Sequence, residues 1–204
     1  LIKSWEWSEL GVELGLDRVS PEIAGDLVGD AGFSNLPSDN PVTPTQLCVF
    51  EVPPENNANP STRSIVAAAT SQSAGWRGAS LFVEQGTVLS EIGPTGSVRA
   101  VTGLLSAPIG GSHCRLIERE AELLVDLFAS DQSFQSTDVT GLANGGNRLM
   151  VGGEVLQFLE AQSLGNGSWR LSGLLRGRAG TEPAASLGHP IGACVTLLGD
   201  RLTE

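Results

Sequence analysis

The sequence predicts an all-β chain of antiparallel sandwich-like or barrel-like domains with little helix, and three observations carry that expectation. Twenty-six glycines and eleven prolines in 204 residues supply turns at short intervals. Only 17% of the residues are charged, which is poor material for the solvated faces of a helical bundle. Apolar side chains recur every second residue in short runs bounded by turn signals, as half-buried strands require. With 40% apolar residues the chain can fill a real core.

Taken in order, Ile2 to Val19 carries Trp5 and Trp7 on one face and continues through Val12, Leu14 and Leu16, the pattern of a strand pair or of one strand kinked at Gly11. Starting at Leu1 in what reads as mid-strand, the chain is expected to be a fragment of a longer polypeptide. Ser20 to Asn40 dissolves into Pro, Gly, Asp and Asn, so residues 1–40 are assigned to the end of a preceding β domain and a linker. QLCVFEVP reads as a strand and PENNANPST as a mobile loop. Several antiparallel strands are expected up to Pro108, including Ala67 to Ala69, whose neighbours Ile65, Val66 and Thr70 favour a strand. Residues 41–108 thus form a sandwich-like domain, and residues 109–204 a C-terminal barrel-like or sandwich domain. Within the latter, HCRLIEREAELLVDLF suits either helix or strand, with strand favoured by its surroundings. NRLMVGG, EVLQFLEAQSL, SWRLSGLLRG and GACVTLLG read as four successive strands. The LGNGS turn supplies residues that tolerate positive φ, which a close hairpin needs.

Composition also narrows function. A formal net charge of −11 repels nucleic acid and anionic lipid. No apolar run suits a membrane span, and the first residues lack a signal-peptide layout. Cys48, Cys114 and Cys194 are far apart with no C-x-x-C pair, so buried or idle thiols in a reducing environment are the simpler expectation, with one disulfide left open. Two histidines, His113 and His189, and no tyrosine leave few general bases. Glu118 and Glu120 share a strand face but are too close to flank a sugar, and adjacent His113 and Cys114 point opposite ways in an extended chain. No nucleophile elbow, phosphate loop or zinc motif is present. The chain is therefore expected not to be an enzyme, with no metal and no cofactor.

The candidate binding residues are Trp76, Arg77, Trp169, Arg176, Arg178 and Glu182. Arg176 and Arg178 could grip a carboxylate or glycan. The flanking glycines favour a fastening role instead, with Arg176 paired to Glu182 or capping carbonyls. Trp76 and Trp169 suit core or edge packing better than a glycan platform.

The string GLANGGNRLMVGGEVLQFLEAQSLGNGSWRLSGLLRGRAGTE, followed by Gly188-His189 and ACVTLLGD, resembles the C-terminal region of the multidomain baseplate or tail-tip hub proteins of gene transfer agents and related siphophages of alphaproteobacteria. The resemblance is strong over residues 140–199, moderate over 74–139 and weak before that. Ala179 stands where that family's LLRGRRGTE string has a second basic residue. The resemblance implies a structural component of a virion tail tip or baseplate, assembled in the bacterial cytoplasm, often within a trimer. It implies other tail proteins as partners, a role in host attachment or genome delivery, and no catalytic residue. The competing class is a glycan-binding module that contacts the host surface. A carboxylate-dependent cell-wall hydrolase has only scattered acids behind it.

Overall fold

A period of two becomes a structure only when each strand finds a neighbour, and the pairing decides which runs join. The computed structural model describes residues 2–8, 11–18, 43–53 and 64–199. The expected linker over Ser20 to Asn40 and the expected loop PENNANPST lie outside them. The chain divides into two units, 1–39 and 40–204. In the first, β1 (Ile2–Ser8) pairs antiparallel with β2 (Gly11–Leu16), with Trp5 opposite Leu14 and Trp7 opposite Val12. The strand-pair reading holds there. Trp5 and Trp7 meet edge to face at 6.0 Å.

In the second unit, β3 (Gln46–Val52) and β4 (Ser64–Thr70) form one hairpin and β5 (Ser80–Gln85) and β6 (Val88–Pro94) another. Seven further strands make the main sheet: β7 (Thr102–Leu105), β8 (Glu118–Leu127), β9 (Arg148–Val151), β10 (Glu154–Gln157), β11 (Glu160–Gly165), β12 (Ser168–Arg178) and β13 (Cys194–Leu197). The order β10-β9-β13-β7-β8-β12 closes on itself because β12 also pairs with β10, giving a six-stranded barrel. Within the HCRLIEREAELLVDLF run, Glu118–Leu127 is strand, as favoured, while its first five residues are irregular. β7, on the near side of the break expected at Pro108, is hydrogen-bonded between β13 and β8, so the closed sheet reaches back to residue 102.

One run differs from its reading. EVLQFLEAQSL is two strands, because a single edge of β12 serves two partners: its first half takes β11 and its last residues take β10. The change of partner falls at Gly173, where φ is +65° and the Leu159 amide reaches the Ser172 carbonyl at 3.1 Å. Such a bulge bends the strand and lets a small sheet close. β11 and β12 meet at the expected turn, where Gly165, Asn166 and Gly167 all have positive φ.

Alternation then sorts the side chains. Leu149 and Val151 of β9, Leu156 of β10, Leu123, Val125 and Leu127 of β8, Leu171 and Leu174 of β12 and Val195 of β13 join one buried cluster. Fourteen buried side chains, each contributing roughly 1.5–3 kcal/mol, make this barrel core the main source of stability. Among the described residues, two short helices lie outside the sheet. In α1 (Val139–Ala143) the Asp138 carboxylate accepts from the Gly141 amide at 2.7 Å; α2 is Glu182–Leu187.

The cysteines correct an expectation. Cys48 of β3 and Cys194 of β13 form a disulfide with their Cα atoms 6.4 Å apart, and Cys114 is a free thiol. Idle thiols were the simpler reading because the partners are 146 residues apart in sequence, and only folding brings β3 against β13. The inference of reducing surroundings loses that footing.

β7 runs so close to β8 that a side chain at Gly103 would enter the backbone of Asp126 and Leu127. Gly103→Ala is expected to destabilise the barrel by about 1–3 kcal/mol, read as a lower urea midpoint, while Gly96→Ala, which meets open space, leaves the midpoint nearly unchanged.

Candidate functional site

The strongest concentration of polar chemistry lies on two neighbouring barrel strands. Glu154 opens β10 on the same face as Leu156, and Arg176 sits near the end of β12 on the same face as Leu174, so alternation turns both inward. Glu154 is 0% exposed, Arg176 1% and His189 8%. His189 is placed by the backbone: its amide and carbonyl exchange hydrogen bonds of 2.9 Å with Ile109.

The Glu154 carboxylate receives four hydrogen bonds. Arg176 donates from Nε at 2.7 Å to one oxygen and from Nη2 at 2.8 Å to the other, the parallel fork that guanidinium and carboxylate share. The Gly177 amide adds a bond of 2.8 Å, and His189 Nε2 lies 2.7 Å from Oε2. A carboxylate only accepts, so His189 carries its proton on Nε2. Arg176 Nη1 donates to the Gly110 carbonyl at 3.2 Å. Burial by itself would raise the Glu154 pKa, but the bonds from His189, Arg176 and Gly177 outweigh it and hold the group below the ordinary glutamate value.

The rest of the LLRGRAGTE string serves the same end. Gly177 has φ +62°, and a side chain there would strike Cys114 Sγ. Thr181 Oγ1 accepts from the Val155 amide at 2.9 Å and donates to the Arg178 carbonyl at 2.7 Å, stitching the loop to β10. Ala179 also has positive φ. Glu182 is exposed in the first turn of α2. Arg176 therefore pairs with Glu154 and not, as one sequence reading had it, with Glu182. Proximity in the chain suggested Glu182; adjacency across the sheet selects Glu154.

The candidate residues do not converge on one surface. Trp76 is 3% exposed, with its indole N–H donating to Thr45 Oγ1 at 2.9 Å. Trp169 packs edge to face on Phe134 at 5.8 Å against the barrel core. Arg77 is exposed and caps the Ala74 and Trp76 carbonyls, each at 3.0 Å. Arg178 is exposed at the end of β12. Glu154 was not singled out in the sequence, although a glutamate at the head of the apolar run EVLQF, with Arg176 in the apolar run SWRLSGLLRG downstream, was the available signal. His189 was weighed only as a scarce base.

Chemically, this cluster is closed. Every acceptor position of the carboxylate is used by protein donors. Among the described residues, no three His, Cys, Asp or Glu side chains gather as a metal would need, and no helix is long and apolar enough to cross a membrane. The exposed surface is of another kind. Among the described residues, the β5–β6 hairpin pairs with no other strand, and it carries Phe82, Val88, Leu89 and Ile92, each more than half exposed. On β1–β2, Trp5 and Trp7 are likewise exposed.

Residues 100–196 match the family model described as Rcc01698-like, C-terminal. The match takes in nearly the whole barrel and every member of the buried cluster. No curated protein matches the chain.

Removing one partner of a buried ion pair strands the other. Glu154→Gln and Arg176→Ala are each expected to cost about 3–5 kcal/mol in urea denaturation, and Arg176→Lys, which keeps charge without the fork, to fall between these and wild type. Since the folded Glu154 pKa is depressed, its contribution is complete above the ordinary glutamate range and fades as pH falls through that range and below it. Over that window the wild-type midpoint is expected to drop more steeply than that of Glu154→Gln. Parallel slopes would show that Glu154 does not set the acid limb.

Proposed function

We propose that this chain is a structural component of the tail tip or baseplate of a gene transfer agent or related siphophage, a non-enzymatic module that packs against other tail proteins. The observation that carries the reading is the division of labour in its surface and interior. Arg176 and Thr181 of the most distinctive motif are buried in internal hydrogen bonds, and large apolar side chains are left outside on a hairpin. A two-stranded hairpin is marginal by itself in water, and exposed apolar surface of this kind marks a protein contact. β5–β6, with Phe82, Val88, Leu89 and Ile92 outward, fits a seat for a neighbouring tail subunit.

The resemblance of residues 140–199 to alphaproteobacterial tail-tip hubs supports the same reading, and the family match covers most of that span. On this proposal the module is assembled in the bacterial cytoplasm, forms a trimer or borders one, and contributes to host attachment or genome delivery as scaffold. The net charge of −11 fits a partner other than nucleic acid. The glycan-binding alternative has less behind it, because Trp76 is enclosed and Trp169 is half-buried against Phe134 and the barrel core.

Negative-stain images of particles labelled with an antibody to this chain are expected to show label at the tail tip; label found consistently elsewhere on the particle would sink the proposal. The double variant Phe82→Ser/Leu89→Ser is expected to keep the barrel's urea midpoint and to enter particles about tenfold less efficiently, measured by quantitative immunoblotting of purified particles.

A further inference from the structure

We propose that the β3–β4 hairpin is a redox latch, fastened to the barrel by the Cys48–Cys194 disulfide and released, with the barrel still closed, when a dithiol reduces that bond. This inference is independent of the tail-tip reading.

The hairpin is an attachment and not a wall of the barrel. β3 and β4 pair with each other, and the six-stranded ring closes without them. Among the described residues, polar links across the seam are few: the Ala100 amide donates to the Ala69 carbonyl at 2.9 Å, and the Thr102 hydroxyl to Cys48 Sγ at 3.4 Å. Arg99 Nη1 donates to the Ser71 carbonyl at 3.0 Å while its other bonds go to Asp131. The apolar seam consists of Cys48, Ala68 and Ala100, bordered by Phe50, Phe128 and Cys194. Alanine and cysteine bury little area, so this seam holds far less strongly than the leucine-rich barrel core. Nor is the seam filled. A groove of about 670 Å³ separates Thr43, Gln46 and Gln72 on the hairpin side from Leu105, Asp126 and Phe128 on the barrel side.

Against this weak seam the disulfide stands out as a covalent tie between β3 and β13. Cys48 is 2% exposed and Cys194 only partly buried, so the proposed attack is on Cys194, the less enclosed residue of the pair. One thiolate of the dithiol forms a mixed disulfide with Cys194 and expels the Cys48 thiolate, which takes up a proton. The second thiolate of the reagent then closes its own disulfide and expels the Cys194 thiolate. Two electrons pass to the protein, the Cys48–Cys194 bond is lost, and the dithiol leaves oxidised. Cys114 packs against Gly177 and takes no part. Opening would uncover Phe50, Val66 and Ala68 on the hairpin and Phe128 and Ala100 on the barrel, a new apolar surface that exists only in the reduced state.

Hydrogen exchange on the full chain, air-oxidised and dithiothreitol-reduced, tests this directly, with peptide mapping to establish the bond. The expected result is a Cys48–Cys194 linkage in the oxidised protein. On reduction, exchange at residues 46–52 and 64–70 should rise by about tenfold or more, while residues 148–157 and 168–178 stay protected. Cys48→Ala/Cys194→Ala should exchange like the reduced wild type under both conditions. Three free thiols in the oxidised protein, unchanged hairpin exchange on reduction, or loss of barrel protection together with the hairpin would each overturn the latch.

Discussion

A carboxylate sealed from water must find all its hydrogen bonds in the protein, and Glu154 finds four, from Arg176, Gly177 and His189. That requirement reaches into several otherwise unrelated pieces of chain. β10 must lie beside the end of β12 so that the guanidinium can fork. The segment at Gly110 must pass overhead to take a third Arg176 N–H, and the Ile109–His189 exchange must hold the imidazole at the second oxygen. Gly177 must be free of a side chain so that its amide can approach while Cys114 fills the space beyond. One buried charge thus fixes the relation of β10, β12, the β7–β8 connection and the approach to β13.

The network does not supply most of the folding free energy. Fourteen apolar side chains in the barrel core do that, and ion pairs of this type generally gain little over well-packed apolar substitutes. What the network adds is a penalty for the wrong register. A one-residue slip of β10 or β12 would carry Glu154 or Arg176 to the opposite face and leave the other charge buried without a partner. Leucines and valines tolerate such a slip far better. The barrel's closure therefore depends on the charged pair for its uniqueness and on the apolar interior for its strength.

This organisation separates the molecule into a sealed module and its attachments. The closed ring has its strands paired and its buried ion pair satisfied from within, as suits a rigid scaffold. The β3–β4 and β5–β6 hairpins stand apart from the ring and expose apolar side chains such as Val49, Ile65, Phe82 and Leu89. A scaffold that assembles with neighbours needs this combination, since edges and apolar faces left open in one chain are surfaces for another. The disulfide adds a second level of control by setting whether one attachment stays seated.

Much of the fold is written locally. Period-two alternation in NRLMVGG, SWRLSGLLRG and GACVTLLG gave the strands, and Gly165-Asn166-Gly167 gave the hairpin turn, because side-chain direction along a strand and φ at a turn are properties of a few adjacent residues. The glycines around Arg176 marked it as a fastener for the same reason. What the chain's order could not convey were contacts between remote segments: Glu154 rather than Glu182 as the arginine's partner, Cys48 joined to Cys194 across 146 residues, the split of EVLQFLEAQSL between two neighbours, and the enclosure of Trp76. Each depends on which strand lies beside which once the sheet closes. That is decided by packing the whole apolar interior at once, and no local pattern encodes it.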